Sequence, residues 1–389
     1  MVARVDDLGG GGVIPRRYIA ALNAGSSSLK LGVFDWETEQ QLAEESITWG
    51  DDGGGGIRNH ADAARQLLSA WNPESIGAIG HRVVHGGARF RQAVRIDAEV
   101  KQAIADLAPL APLHNPAALA VIDAAEHMLP LVPQVAVFDT AFHRTMPPSS
   151  YLYPVPFQWY TEWGIQRFGF HGLSHAYCSL RASELLKRPV DGLKLVTCHL
   201  GSGCSLAAVE SGRSVATTMG FTPLEGLMMG TRSGSVDPGM LLYLLTQRHL
   251  NTGDLEHTLY YDSGLKGVSG VSPDIREVIA AKRAGLRQAG LAFDLYTTRI
   301  REGIGAMAAA MSGLDGLVFT AGVGEGSADV REAVCRPLEW LGVALDAQAN
   351  AVASPDTDVA TAGSRVRILV VHTREELMVA KETRRALER

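Results

Sequence analysis

Residues Tyr18-Ile-Ala-Ala-Leu-Asn-Ala-Gly-Ser-Ser-Ser-Leu-Lys-Leu-Gly-Val-Phe-Asp35 set a glycine and three consecutive serines between two apolar runs. The pattern predicts strand, tight turn and strand. Backbone N–H groups in such a concave turn, joined by the Ser26, Ser27 and Ser28 hydroxyls and by Lys30, can wrap phosphoryl oxygens, because Gly25 puts no side chain in the way. The residues after Lys30 alternate as a strand does, so this is not the strand-loop-helix phosphate cradle. Taken alone, a Gly/Ser turn is also an ordinary hairpin.

The rest of the chain weighs on that choice. Leu195-Val-Thr-Cys-His-Leu-Gly-Ser-Gly-Cys-Ser-Leu-Ala-Ala-Val209 echoes the opening hairpin, with a second turn at Glu210-Ser-Gly-Arg213. Two such hairpins suggest a duplicated fold. Between them alternate strands (75–80 and 134–138) and helices (116–128 and 177–186), the pattern of α/β domains. Asn115-Pro116 reads as an N-cap followed by proline at the first helical position. Helices follow around 240–248, 274–284 and 293–311. A strand at 316–320 then ends in Ala321-Gly-Val-Gly-Glu-Gly-Ser327 before another helix, a geometry that suits a nucleotide. The last strand, 366–371, leads to Thr373-Arg-Glu-Glu376, which reads as a capping box that occupies Glu376 and leaves Glu375 the freer carboxylate.

With 389 residues, 46% of them hydrophobic and 20% charged, the chain suits two domains with a full core each. The Pro-rich segment 145–156 is the best candidate for the crossing, giving domains over 18–147 and 148–373 with the C-terminal helix 374–389 returning to the first. A net charge of −6 argues against a nucleic-acid or membrane-surface role. Cys178, Cys198, Cys204 and Cys335 form no CxxC pair or disulfide framework, which points to a reducing compartment, the cytoplasm, and to Cys198 and Cys204 as small core residues. Residues 1–17 have no apolar segment and read as a flexible tail, and no stretch approaches the about eighteen apolar residues of a membrane helix.

Polar residues recur where strands end, as expected of a cleft at the carboxyl edge of a sheet. They are His81-Arg-Val-Val-His-Gly-Gly87, Asp139-Thr-Ala-Phe-His143, Phe168-Gly-Phe-His-Gly-Leu-Ser-His175, His199, and Met229-Gly-Thr-Arg-Ser-Gly234. His81, His85, His143 and His175 read individually as packed or capping residues. No histidine pair has the spacing of a zinc site, and neither Gly/Ser turn has the elbow of a serine nucleophile. The remaining set suits phosphoryl transfer, whose transition state spreads negative charge over equatorial oxygens and needs positioned cations more than a nucleophilic side chain. Arg82 and Arg232 are those cations, and a guanidinium can also fork onto a carboxylate acceptor.

Asn23-Ala-Gly-Ser-Ser-Ser-Leu-Lys30 and Met219-Gly-Phe-Thr-Pro-Leu-Glu-Gly-Leu-Met-Met-Gly-Thr-Arg-Ser-Gly234 closely resemble the two signature segments of the acetate kinase family. Pro112-Leu-His-Asn-Pro, Phe319-Thr-Ala-Gly-Val-Gly-Glu and Glu375-Glu-Leu-Met-Val-Ala add to the likeness, which runs from about residue 18 to the end. The resemblance implies the duplicated actin-like (ribonuclease H-like) ATPase fold, an α/β architecture of two domains with a cleft between them. It also implies ATP and Mg²⁺ in that cleft, a homodimer, and reversible in-line transfer of the γ-phosphoryl group to acetate. Propionate as acceptor or pyrophosphate as donor are the near alternatives, and an inactive nucleotide-binding relative the more distant one.

Carried over by position, the resemblance makes Arg82, Asp139, His171 and Arg232 catalytic. The arginines would hold the carboxylate and the equatorial oxygens, His171 would donate to the transferring group, and Asp139 would orient an arginine or a metal-bound water. Val84, Leu113, Phe170 and Pro223 match the pocket for the acetate methyl. Ser26, Ser28, Lys30, His199, Gly201, Ser202, Gly203, Asp274, Ile275, Arg276, Gly322, Val323, Gly324 and Glu325 match the nucleotide side, and Asn23 with Glu375 the Mg²⁺ site. Three positions depart from the family pattern, which has asparagine where Ser202, Gly326 and Arg374 stand. All three lie on the nucleotide side, so donor choice is less fixed by the resemblance than acceptor choice.

Overall fold

The structure is a computed structural model that describes residues 17–25, 27–49, 57–112 and 114–389. The expectations for residues 1–16, Ser26 and Leu113 lie outside the described residues.

The opening hairpin forms as its alternation requires: β1 (Tyr18–Ala24) and β2 (Ser28–Asp35) pair antiparallel, with Gly25 N donating to Ser28 O at 2.9 Å across the turn. β3 (Gln41–Thr48) adds to β2, while β4 (Ile76–Val83) and then β6 (Gln134–Phe138) line up parallel on the other side of β1, and the short β5 (Val94–Arg95) closes that edge antiparallel. The resulting order is β3-β2-β1-β4-β6-β5.

The same sheet is then built again. β7 (Lys194–Leu200), β8 (Cys204–Glu210) and β9 (Arg213–Thr217) repeat the antiparallel meander, β10 (Gly316–Thr320) and β12 (Arg367–Val370) run parallel beyond β7, and β11 (Thr357–Asp358) closes the edge. Read from the other side, the order β9-β8-β7-β10-β12-β11 matches the first sheet strand for strand and sense for sense. Every residue of β6 and β10 is buried, as central parallel strands covered on both faces demand.

The C-terminal helix Glu375–Leu387 packs onto the first sheet, burying Met378 and Val379 against Ile19, Val135 and Val137. It therefore links the end of β12 to the wall formed by β1, β4 and β6. The four cysteines are unpaired and buried, as their spacing predicts. Among the described residues, no helix is long and apolar enough to cross a membrane. The helix Pro238–Gln247 stands apart, since its run Met240-Leu-Leu-Tyr-Leu-Leu245 leaves no residue buried.

Two local expectations fail, both because a long-range partner wins. Asn115 is the first helical residue of Asn115–Met128 rather than its cap; its Oδ1 accepts from His85 N (3.1 Å) and its Nδ2 donates to the carbonyls of His85 and Ile104, which fastens the loop after β4. The capping box at Thr373 does not form either. Thr373 Oγ1 bonds Ser174 Oγ at 2.9 Å, and Glu376 Oε1 accepts from Asn23 Nδ2 at 2.9 Å.

Candidate active site

Register sets the first wall. Asn23 stands opposite Arg82 in the β1–β4 pairing, and Asp139 follows directly on β6, so three polar side chains reach the carboxyl ends of adjacent parallel strands. They bond as one network. Arg82 Nη1 donates to Asn23 Oδ1 (2.9 Å), while Nε (3.1 Å) and Nη2 (2.5 Å) both reach Asp139 Oδ2. Asn23 Nδ2 in turn donates to Glu375 Oε2 (3.1 Å) and Glu376 Oε1 (2.9 Å), and Glu375 Oε2 lies 3.7 Å from Arg82 Nε.

The charges of this wall hold one another in place. Burial alone would lower the Arg82 guanidinium, but Asp139, Glu375 and Glu376 around it raise it above its ordinary value. Burial pushes the Asp139 carboxyl up, and Arg82 pulls against that shift. Burial would also raise Glu375, yet Arg82, His199 and the Asn23 bond bring it below the usual carboxylate range. Lys30, the register partner of Asn23 on β2, is exposed at the mouth of the turn with Ser28 beside it.

The second wall comes from the second sheet. His199, one residue before the end of β7, stands beside Thr320 of β10, the position that corresponds to Asn23 beside Arg82. The His199 ring stacks on His171, with centroids 4.1 Å apart and planes 16° from parallel. His171 sits at the N-terminus of the helix Gly172–Leu186 in a left-handed conformation (φ 56°). That strained turn is held by close backbone approach: a β-carbon on Gly172 would lie 1.9 Å from Asp139 O. Burial first, then His199, His175 and the two arginines, push the His171 imidazole well below its ordinary value, so it is neutral at pH 7.

Arg232 approaches from the loop after β9. Nη1 donates to Pro223 O (3.0 Å) and touches Met229 Sδ (3.6 Å), and no carboxylate lies within ion-pair distance of it among the described residues. Burial lowers this guanidinium, in contrast to Arg82. Gly203 measures the convergence. A β-carbon there would stand 3.4 Å from His171 Nε2 and 3.6 Å from Arg232 Nη1. Both Arg82 and Arg232 act electrostatically on His171 and also on His114, which burial and these two charges bring down to about 4.

An apolar space adjoins this point. Ala111, His114, Pro223, Arg232 and Tyr260 help line a cavity of about 240 Å³, while Val84 and Phe170 lie in the core cluster that includes Ala111. The loop carrying Pro223 is tied from behind. Glu225 takes Arg167 Nη2 at 2.6 Å and the Tyr153 hydroxyl, Arg167 Nη1 donates to Thr218 O and Met219 O, and Tyr153 accepts from Phe221 N (2.8 Å).

On the nucleotide side, Gly201 and Gly203 close the β7–β8 turn, with Ser202 exposed at its tip and Ser202 O accepting from Gly230 N at 3.2 Å. A β-carbon on Gly201 would lie 3.7 Å from Ala321 Cβ and 4.0 Å from His199 Nε2, so the turn meets the start of the helix Ala321–Gly326. Gly322 is exposed there, with Val323 and Gly324 behind it. Glu325 is engaged inward: Oε1 accepts from Ala321 N (2.9 Å) and Oε2 pairs with His372 (2.8 Å). Asp274 caps the helix Ile275–Arg283 and pairs with the exposed Arg276, and Ile275 is buried in the core.

Sequence reasoning assembled Asn23, Arg82, Asp139, His171, His199, Arg232 and Glu375, and all seven meet here. It missed Glu376, His114 and the Ser205 and Ser174 hydroxyls behind the two stacked rings. His114 lies inside a motif already singled out, Pro112-Leu-His-Asn-Pro, and its imidazole beside a predicted cleft was the available signal.

Two copies of one sheet whose carboxyl edges present Arg82, neutral imidazoles and Gly-rich turns, with Arg232 reaching in from a loop, define a phosphotransferase of the actin-like ATPase class. The acetokinase family model matches residues 18–381. An acetate kinase from Gloeobacter violaceus is 49% identical, with 95% of this chain and all of that one covered. Among solved structures, an acetate kinase of Porphyromonas gingivalis aligns with a TM-score of 0.86 at 39% identity, over 95% of this chain and 100% of that chain. A propionate kinase of Francisella tularensis gives the same score at 35% identity, over 95% and 99%. The chain belongs to the acetokinase family.

Proposed function

We propose that this chain is an acetate kinase that moves the γ-phosphoryl group of ATP reversibly to acetate, giving acetyl phosphate and ADP. One observation carries the reading of the site: the Arg232 guanidinium, without a carboxylate partner among the described residues, approaches His171 from the loop after β9 while Arg82 acts on it from the first sheet. A part-buried cation left unpaired is costly unless an anion joins it. An acid carboxylate and the phosphoryl oxygens supply that anion.

In this mechanism an acetate oxygen attacks the γ-phosphorus in line as the bond to the β-γ bridging oxygen breaks and ADP leaves. Acetate is already an anion at neutral pH, so no general base is needed. Asp139, which grips Arg82 through two nitrogens, keeps that guanidinium aimed at the cleft. Arg232 neutralises charge from the other side, and His171 donates through Nε2 to the equatorial oxygens. Val84, Phe170 and Pro223 bound the methyl end. The nucleotide lies along Gly201, Ser202, Gly203 and the helix start at Gly322.

Mg²⁺ suits the residues present. It keeps several waters and takes one or two carboxylates beside substrate phosphates. Glu375, held ionised, offers a hard oxygen with Glu376 beside it, and Asn23 Oδ1, already accepting from Arg82, would reach the ion through water. Among the described residues there is no larger cluster of metal-ligating side chains. When bound, the ion would neutralise charge accumulating on the phosphates.

We read the chain as two repeats, 18–147 with the C-terminal helix and 148–373, acting in the cytoplasm as a homodimer. Support for the dimer is the apolar helix Pro238–Gln247, on which Met240, Leu242 and Tyr243 are 41%, 63% and 49% exposed. One extra methylene in an apolar pocket changes selection by only about 1–3 kcal/mol, so propionate is the poorer second substrate. Trapping acyl phosphate with hydroxylamine tests the whole reading. Acetyl hydroxamate forming with ATP and Mg²⁺ supports it, whereas product appearing only with pyrophosphate, or with neither donor, overturns it.

A further inference from the structure

His171 does not stand alone behind its phosphoryl-facing edge. Ser205 Oγ lies 2.8 Å from His171 Nδ1 and also 2.8 Å from His175 Nε2, and His175 Nδ1 lies 2.7 Å from Thr197 Oγ1. Ser205, His175 and Thr197 are completely buried, so behind His171 the row is closed to solvent. Burial pushes both imidazoles well below their ordinary value, which leaves each ring with one proton.

That inventory fixes the direction of every bond once a phosphoryl group is bound. Phosphoryl oxygens only accept, so His171 must carry its proton on Nε2 and accept at Nδ1. Ser205 has a single hydroxyl proton. If it donates to His171 it must accept from His175 Nε2–H, and His175 Nδ1 must then accept from Thr197. The distances agree, for the Thr197 hydroxyl has His175 at 2.7 Å and its other acceptor, Ala207 O, at only 3.4 Å.

We infer that Ser205, with His175 and Thr197 behind it, is a positioning residue that sets the tautomer of His171, so that Nε2–H and not a lone pair meets the transferring phosphoryl group. The inference rests on the phosphotransferase reading above. Reversing the row would turn a donor into a repelling lone pair while leaving the packing unchanged.

Imidazole ¹⁵N shifts separate the two tautomers, so the test uses the full-length protein labelled at histidine nitrogens, with Mg²⁺ and a non-hydrolysable ATP analogue. His171→Asn identifies the signal. The wild type is expected to show His171 in the Nε2–H form. Ser205→Ala should mix the two forms and lower kcat by about 10- to 100-fold, a part of what losing one transition-state donor costs, with KM for acid and nucleotide within about twofold. Ser205→Thr, which keeps the hydroxyl, should restore the Nε2–H form and most of kcat. A wild-type His171 in the Nδ1–H form overturns the inference without any variant, so misfolding of Ser205→Ala does not protect it. An unchanged tautomer and kcat in Ser205→Ala overturn it as well. Failure of the wild type to make acyl phosphate would strike the functional reading instead, since the tautomer is read with the nucleotide analogue alone.

Discussion

Arg82, at the end of β4, and Arg232, in the loop after β9, reach one cleft, yet their surroundings are opposites. Arg82 is wrapped by Asp139, Glu375 and Asn23, which keep it charged and aimed before any ligand arrives. Arg232 has a carbonyl and a thioether, and burial works against its charge. The first wall is a finished electrostatic network; in the proposed mechanism the second is completed by the substrate. Duplication supplied two equivalent edges, but the counterpart of Arg82 in the second sheet is Thr320, and the second guanidinium comes instead from the loop after β9.

The sharpest way to break this contrast is to remove each guanidinium. Arg232→Ala should cut acyl phosphate formation by about 10²–10³-fold or more, while urea midpoints stay level or rise, because no internal partner is stranded. Arg82→Ala should lose comparable activity and also about 3–5 kcal/mol of stability, since Asp139 and Glu375 are left as buried, unpaired carboxylates. Equal stability losses in the two variants would erase the distinction. Gly172→Ala drives a methyl against Asp139 O and should lower kcat by about 10²-fold through displacement of His171, at about 1–3 kcal/mol of stability. Full activity there would mean that the two walls need no such close approach. Glu376→Gln keeps an acceptor for Asn23 and removes one charge near Arg82; a loss of up to about tenfold in kcat is expected, the size of one ordinary hydrogen bond.

The last expected effect is on stability against pH, where several buried histidines act together. Burial depresses His81, His85, His114 and His143 to about 4 in the folded chain, below the ordinary 6.5. Between those values the unfolded chain binds more protons, so stability rises with pH there. Their contribution is complete above about pH 6.5 and is lost as the pH falls towards 4. Thermal melts from pH 8 to 4.5 should show Tm level at first and falling below about 6.5. A Tm that climbs on acidification would reverse the sign.

Much of this was legible in the sequence, and the failures share one cause. The paired hairpins could be read because alternation and Gly/Ser turns are local signals, and the repeat at 195–209 announced the second sheet. Arg82 and Asp139 could be placed through family motifs at strand ends, whereas the motif that carries Arg232 lies in the loop after β9 rather than at a strand end. Glu376 and Asn115 were misread because both satisfy a short-range capping pattern, while their actual partners, Asn23 and His85, lie 353 and 30 residues away. The serines behind His171 and His199 carry no pattern of their own. Their roles exist only once the helix Gly172–Leu186 is laid against β7 and β8.

A crystal structure with acetate, Mg²⁺ and a non-hydrolysable ATP analogue tests the central claim most directly. The account predicts guanidinium nitrogens of both Arg82 and Arg232 within about 3.2 Å of oxygens on the acid or the γ-phosphoryl group. Arg82 should still be held by Asp139. A complex in which Arg232 stays on Pro223 O, away from the ligand, or in which the two arginines bind different molecules, would contradict it.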